Sequence, residues 1–238
     1  MSITFQNGFS ISKGSGGLYD FTTLTFSVPS TVSGSTPPTL AQFLALYSGS
    51  NTSQYYYNVY ASTNTGSAAV EFAVAYGHVS GAGAPTTAAD QNSTYPTMAT
   101  YFQYRALLTD TNENFFSFYS GSIADGTSAD DIYVINIARS NYRERVDAGN
   151  WELHLSGSGG IYTFIDNSGE KFNVTNSGTN EFNIVSGTLN LGSTSPATIS
   201  SYVASNGQGF GKFYPDYGIL VFNPNALQVS VGAELSGS

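Results

Sequence analysis

Apolar side chains recur at every second position through much of this chain, the spacing of strands that turn alternate residues toward opposite faces of a sheet. Over residues 68–76, Val70, Phe72, Val74 and Tyr76 alternate with Glu71, Ala73 and Ala75, and over 151–155 Trp151, Leu153 and Leu155 alternate with Glu152 and His154. Residues 130–138 read Asp-Asp-Ile-Tyr-Val-Ile-Asn-Ile-Ala. That run is β-branched and almost continuously apolar, which predicts a central strand covered on both faces. Further strands are expected over 18–28, stopping at Pro29, over 54–60, pairing with 68–76 as an antiparallel hairpin, and over 218–222, ending at Asn223-Pro224. Turn sequences at 166–169 (Asp-Asn-Ser-Gly) and 176–178 (Asn-Ser-Gly) predict a meander of strands 161–165, 171–174 and 181–185.

Helical spacing is confined to two short stretches. Residues 39–47 begin with Thr39 as an N-cap candidate, and residues 97–108 carry Met98, Tyr101, Phe102, Tyr104, Leu107 and Leu108 at three- and four-residue intervals. The expected fold is therefore mainly β, an antiparallel β-sandwich or meander-type sheets with one or two short helices. One structural domain over 1–238 is expected, with a potential subdivision near 157–160 between a core over 1–156 and a C-terminal meander and final strand over 161–238.

Charge excludes several functions. Seven Lys and Arg face sixteen Asp and Glu, a formal net charge of −9. A nucleic-acid binder needs a basic stripe to displace counterions, so no nucleic-acid partner is expected. The chain has no cysteine, which removes disulfides and thiolate metal sites. The opening Met1-Ser2-Ile3-Thr4-Phe5-Gln6 has no basic leader, and no stretch approaches the ~18 apolar residues of a membrane span. A soluble protein made in a cytosol, with no membrane partner, is expected. Surfaces rich in Ser, Thr and Tyr but poor in charge can be buried against neighbours at a smaller desolvation cost than Lys or Glu would impose.

Signatures of catalysis are thin. His78 and His154 belong to no metal-ligand motif, and the chain has no nucleophile elbow, phosphate loop or dinucleotide fingerprint. Glu71, Asp130, Asp131, Glu152 and Asp216 are candidates for a glycosidase pair, which needs two carboxylates close in space rather than in sequence. Glu71 and Glu152 sit in alternating strands, where a solvated face is the usual explanation. Residues 125–131 are oxygen-rich but lack EF-hand spacing, and a capped turn opening a strand is the better reading. No enzyme, catalytic residue, metal or cofactor is expected. The sequons at Asn51, Asn92 and Asn173 are expected to stay unmodified without a secretory signal.

Two clusters suggest binding. Arg139, Arg143 and Arg145, with Tyr142, Glu144 and Asp147 among them, hold three of the seven basic residues. They are read either as an intramolecular network reaching Asp130 or Asp131 or as a docking loop, because arginine makes planar multidentate hydrogen bonds and is enriched at protein interfaces. The small-residue loop over 77–96 is a second contact candidate. Tyr55, Tyr56, Tyr57 and Tyr60, with Tyr76, are read either as a platform for sugar rings or as a set whose alternate members face a core.

Several blocks carry a further signal: Tyr76-Gly77-His78, Tyr101-Phe102-Gln103-Tyr104-Arg105, the run from Asp131 to Arg139, Asp147-Ala148-Gly149-Asn150-Trp151-Glu152-Leu153, and Phe213-Tyr214-Pro215-Asp216-Tyr217-Gly218-Ile219. In this order they resemble segments of virion structural proteins from T4-like marine and cyanobacterial tailed phages, over about residues 70–227. The resemblance implies a contractile-tail component at the baseplate, made in the host cytoplasm and built into a multimeric assembly with copies of itself or other virion proteins. It carries over no catalytic residue. Members of that group are often much larger chains, which leaves fibre-attachment, neck and head-decoration roles open beside the baseplate, and a carbohydrate- or receptor-binding module of a tail fibre is the alternative reading.

Overall fold

A computed structural model of the chain describes residues 9–12, 24–26, 56–60, 70–81, 95–121, 127–157, 159–169, 180–190 and 197–232. Its centre is the strand expected there. β7 (Asp131–Ile137) lies between β4 (Val70–His78) and β13 (Ile219–Phe222), and β3 (Tyr56–Tyr60) pairs antiparallel with β4 at the sheet edge. On the other side of β13 follow β12 (Gly211–Tyr214), β10 (Phe182–Leu189), β9 (Gly160–Asp166), β8 (Glu152–Gly157), β1 (Phe9–Ser12) and β2 (Leu24–Phe26). Every pairing among them is antiparallel. β11 (Ala197–Ser201) pairs with the second half of β10, from Ser186 to Leu189 with a register shift between Ser186 and Gly187, beyond Ile184 where the β12 pairing ends.

The continuous apolar character of β7 follows from its position between two cores. Tyr133 and Ile135 enter one buried cluster, while Ile132 and Val134 enter another on the opposite face. The larger cluster shows why the sheet curls. Phe164 on β9 and Phe222 on β13 are three strand steps apart, roughly 14 Å in a flat sheet, yet their ring centroids are 5.6 Å apart. Trp151 and Phe213 meet edge-to-face at 5.1 Å in the same cluster. Phe72, Val74 and Tyr76 from β4 complete it, closed by α2 (Pro224–Val231) through Ala226, Leu227 and Val231.

The outer face is covered by α1 (Tyr95–Leu108) and by a hairpin of β5 (Phe116–Phe118) and β6 (Thr127–Ala129). Tyr101 ties these together. Its buried hydroxyl donates to the Ala129 carbonyl at 2.6 Å and accepts from the Phe116 N–H at 3.1 Å. The helix approaches β4 where Gly77 has no side chain, since a Cβ there would lie 2.8 Å from the Tyr101 nitrogen. Thr109 closes the helix, its N–H and hydroxyl both donating to the Arg105 carbonyl.

The structure adds to the sequence reading at three points. β9 pairs directly with β10. The strand over 219–222 does end at Asn223-Pro224, but α2 begins there. Asn223 accepts from the Asn225 N–H at 3.1 Å, Pro224 fills the first turn, and the Gly232 N–H donates to the Gln228 carbonyl at 3.1 Å. Asn-Pro is thus an N-cap with an N1 proline rather than a simple stop. Last, β1, β5, β6, β11 and β12 were not read from the sequence. The helix expected over 39–47, the strand over 171–174 and most of the strand over 18–28 lie outside the described residues.

Candidate functional site

The outer face carries an open depression of about 550 Å³ beyond the end of α1. Its floor is a row across three strands in which Ala73 on β4 is registered with Asn136 on β7, and Asn136 with Ile219 on β13. Ala73 contributes only a methyl group to this row. Among the described residues, the walls are Leu107 at the end of α1, Val70 at the start of β4, Arg139 and Tyr142 after β7, and Asp216 and Tyr217 in the β12–β13 turn. Leu107 and Tyr217 are 46% and 42% exposed.

The Arg139 wall is built locally. β7 ends at Ile137, and a 3-10 turn over Arg139–Asn141 reverses the chain, with the Asn141 N–H donating to the Ala138 carbonyl at 2.9 Å. This turn lays the Arg139 guanidinium over the Tyr142 ring, 4.5 Å from its centroid, with an Nη1–H donating to the Tyr142 carbonyl at 2.9 Å. Tyr142 in turn donates its hydroxyl to the Tyr217 carbonyl at 2.7 Å. Burial raises the Tyr142 pKa and the nearby Arg139 cation pulls it back, leaving a protonated phenol able to donate at neutral pH. Burial likewise raises Tyr104, whose hydroxyl is hydrogen-bonded with the Asn136 side chain at the floor.

Beyond Tyr142, Arg143, Glu144 and Arg145 form an exposed bend. The bend is fastened where it returns. The Val146 N–H donates to the Pro215 carbonyl at 3.0 Å, and the Gly149 N–H donates to Asp166 Oδ2 at 2.8 Å. Asp166 also accepts from the Ser168 N–H at 2.9 Å, and the Asp147 carboxylate accepts from the Asn150 amide. Asp166 is 2% exposed, and burial raises its pKa despite these hydrogen bonds.

The expected binding residues therefore separate. Arg139 and Tyr142 line the depression, whereas Arg143 and Arg145 stand on the exposed bend beside it. Asp131 begins β7 and Arg139 follows its end, so the whole strand, roughly 20 Å, separates Arg139 from Asp130 and Asp131, and the expected network does not reach them through Arg139. Tyr56, Tyr57 and Tyr60 belong to edge strand β3, with Tyr56 registered to Ala75 and Tyr57 to Val74, and a register shift precedes Tyr60. Tyr55 and most of the loop over 77–96 lie outside the described residues.

The candidate carboxylates also disperse. Asp216 lines the depression, and Glu152 accepts from the Leu189 N–H and lies 3.5 Å from His154 Nε2. Asp131 is buried opposite His78, its pKa raised by burial and drawn back by that histidine. His78 Nδ1 lies 3.1 Å from the Ser80 N–H, and His154 Nδ1 lies 3.1 Å from the Thr163 hydroxyl, so both rings have local partners. No group of three or more His, Asp and Glu among the described residues converges to hold a metal ion, and no described helix is long and apolar enough to cross a membrane. The sequence reading missed Asn136, Leu107 and Tyr217 as site residues. A lone amide inside the most apolar strand and a Tyr in a Pro-Asp-Tyr-Gly turn were the available signals.

Comparison of the chain with family models, curated proteins and solved structures finds no match.

Proposed function

We propose that this chain is a structural protein of a tailed-phage virion, a baseplate component of the tail that acts by protein–protein assembly and performs no catalysis. The observation that carries the reading is the exposed bend at Arg143 and Arg145, fastened through Val146 to Pro215 and through Gly149 to the buried Asp166. A bend held this way loses little conformational freedom on docking, so its arginines are set to engage carboxylates on a neighbour. The chain supplies such neighbours itself, since sixteen acidic residues outnumber seven basic ones. Copies of this chain and other acidic virion proteins are the partners. The ordered resemblance of the Asp131–Arg139, Asp147–Leu153 and Phe213–Ile219 blocks to phage virion proteins supports the same reading.

The test is complementation with an Arg143→Ala, Arg145→Ala double variant whose thermal unfolding matches the parent. Its incorporation into particles is expected to fall sharply. A folded double variant incorporated at the parental level would contradict the docking role. A second reading, carbohydrate or receptor binding by a tail fibre, gains support from the depression rather than from the Tyr55 to Tyr60 cluster.

A further inference from the structure

We infer that the depression bounded by Arg139, Tyr142, Asp216 and Tyr217 is a carbohydrate site that seats a neutral sugar ring of an extended glycan. The inference is independent of the virion assignment and rests on three features of the site.

The first is a fixed but uncovered aromatic side chain. Tyr217 is 42% exposed, yet its backbone is held on both sides, its N–H donating to the Tyr214 carbonyl at 3.3 Å and its carbonyl accepting from Tyr142 at 2.7 Å. The adjacent Gly218 N–H donates to the Pro215 carbonyl at 3.2 Å. An aromatic ring on an ordered turn offers a broad apolar face with only two side-chain torsions to fix, which suits the C–H face of a pyranose.

The second is charge balance. Arg139 and Asp216 line the same depression, so an anionic ligand meets a carboxylate and a cationic one meets a guanidinium. A polyhydroxylated neutral ligand can use both, donating to Asp216 and accepting from Arg139. The stack on Tyr142 and the bond to its carbonyl fix the guanidinium plane while using only part of its set of five N–H donors. Asn136 at the floor adds an amide, a group with both donor and acceptor capacity.

The third is shape. About 550 Å³ falls within the ~300–1,000 Å³ of small-ligand sites, but this site is open along the outer face, so a polymer can cross it while one ring is seated. An apolar peptide side chain placed here would offer no hydrogen-bond partner to Asp216 or to the remaining donors of Arg139 and Asn136, an unfavourable exchange for polar groups removed from water.

The test is titration calorimetry with saturation-transfer NMR on the full chain. The probes are maltohexaose, cellohexaose, laminarihexaose, mannohexaose, chitohexaose and neutral O-polysaccharide released from bacterial lipopolysaccharide, with a heparin hexasaccharide as the anionic control. At least one neutral probe is expected to bind. Tyr217→Ala should weaken it about 10-fold or more, and Tyr217→Phe should hold it within about 2-fold. Arg139→Ala should also weaken it, and if that variant fails to fold, the exposed Tyr217 ring still decides the matter. Absence of any neutral binder tighter than about 10 mM, or binding that survives Tyr217→Ala, would overturn the inference, as would heparin binding that competes with the neutral probe and exceeds it.

Discussion

The Tyr142 hydroxyl donates to the Tyr217 carbonyl at 2.7 Å, joining positions 75 residues apart and locking the turn after β7 to the turn between β12 and β13. The contact depends on Gly218. That residue has φ +63°, and a Cβ on it would lie 2.7 Å from Tyr142 Cε1. Gly218→Ala therefore imposes left-handed strain and displaces the Tyr142 ring. A loss of about 2 kcal/mol or more is expected, measured by urea denaturation, together with a shift of the Tyr142 ring resonances. Parental stability in Gly218→Ala would show that the two turns are not locked in this way.

Tyr101 makes a similar connection inside the outer cluster, where its hydroxyl serves the Ala129 carbonyl and the Phe116 N–H. Tyr101→Phe keeps the ring and leaves both backbone groups short of a partner. The expected cost is about 1–3 kcal/mol, with faster amide exchange at Phe116 than in the parent. An unchanged midpoint of denaturation would indicate that these groups find other partners.

Asp131 makes stability depend on pH in an unusual direction. Burial raises its pKa above the ordinary 3.8, with His78 opposing and Asp130 adding to the rise, and Tyr76 and Tyr133 are buried nearby. A raised folded-state pKa means that the folded chain holds the proton more tightly than the unfolded one. This contribution is fully present below pH 3.8 and is lost as pH rises through the folded pKa. Relative to Asp131→Asn, the parent is expected to lose melting temperature as pH rises from that value toward neutrality. A parent that gains on the variant over the same range would reverse the sign and contradict the assignment.

Asp166 holds the arginine bend rather than forming part of its contact surface. Asp166→Ala removes the acceptor for the Gly149 and Ser168 N–H groups. A loss of about 1–3 kcal/mol is expected, with faster tryptic cleavage after Arg143 and Arg145 under native conditions. Cleavage at the parental rate would show that the bend is ordered by other contacts.

The legible parts of the fold were those in which one residue pattern admits one environment. Ile132, Tyr133, Val134 and Ile135 are apolar at consecutive positions because they serve clusters on both faces, and their run announced β7 as central. Gly211-Lys212-Phe213-Tyr214 is too short for a period to stand out, so β12 went unread although Phe213 and Tyr214 are among the most buried side chains. Asn223-Pro224 fits both a strand stop and a helix start, and only Gly232 eight residues past Pro224 separates the two. The same logic applies to the site. Arg139 and Tyr142 stood out in a charge-poor chain, whereas Ala73, Asn136 and Ile219 become neighbours only through strand register, which no local pattern encodes. The tyrosines near β3 drew attention by number, but number does not say which face each position occupies.

Placement in the tail of a virion, as proposed above, is tested most directly by immunogold labelling of intact and contracted tailed-phage particles with antibody to this chain. Gold is expected at the tail end, and more strongly after contraction if neighbouring subunits cover the arginine bend in the intact particle. Gold over the head or neck would contradict the baseplate placement, and particles without label in either state would contradict the virion assignment itself.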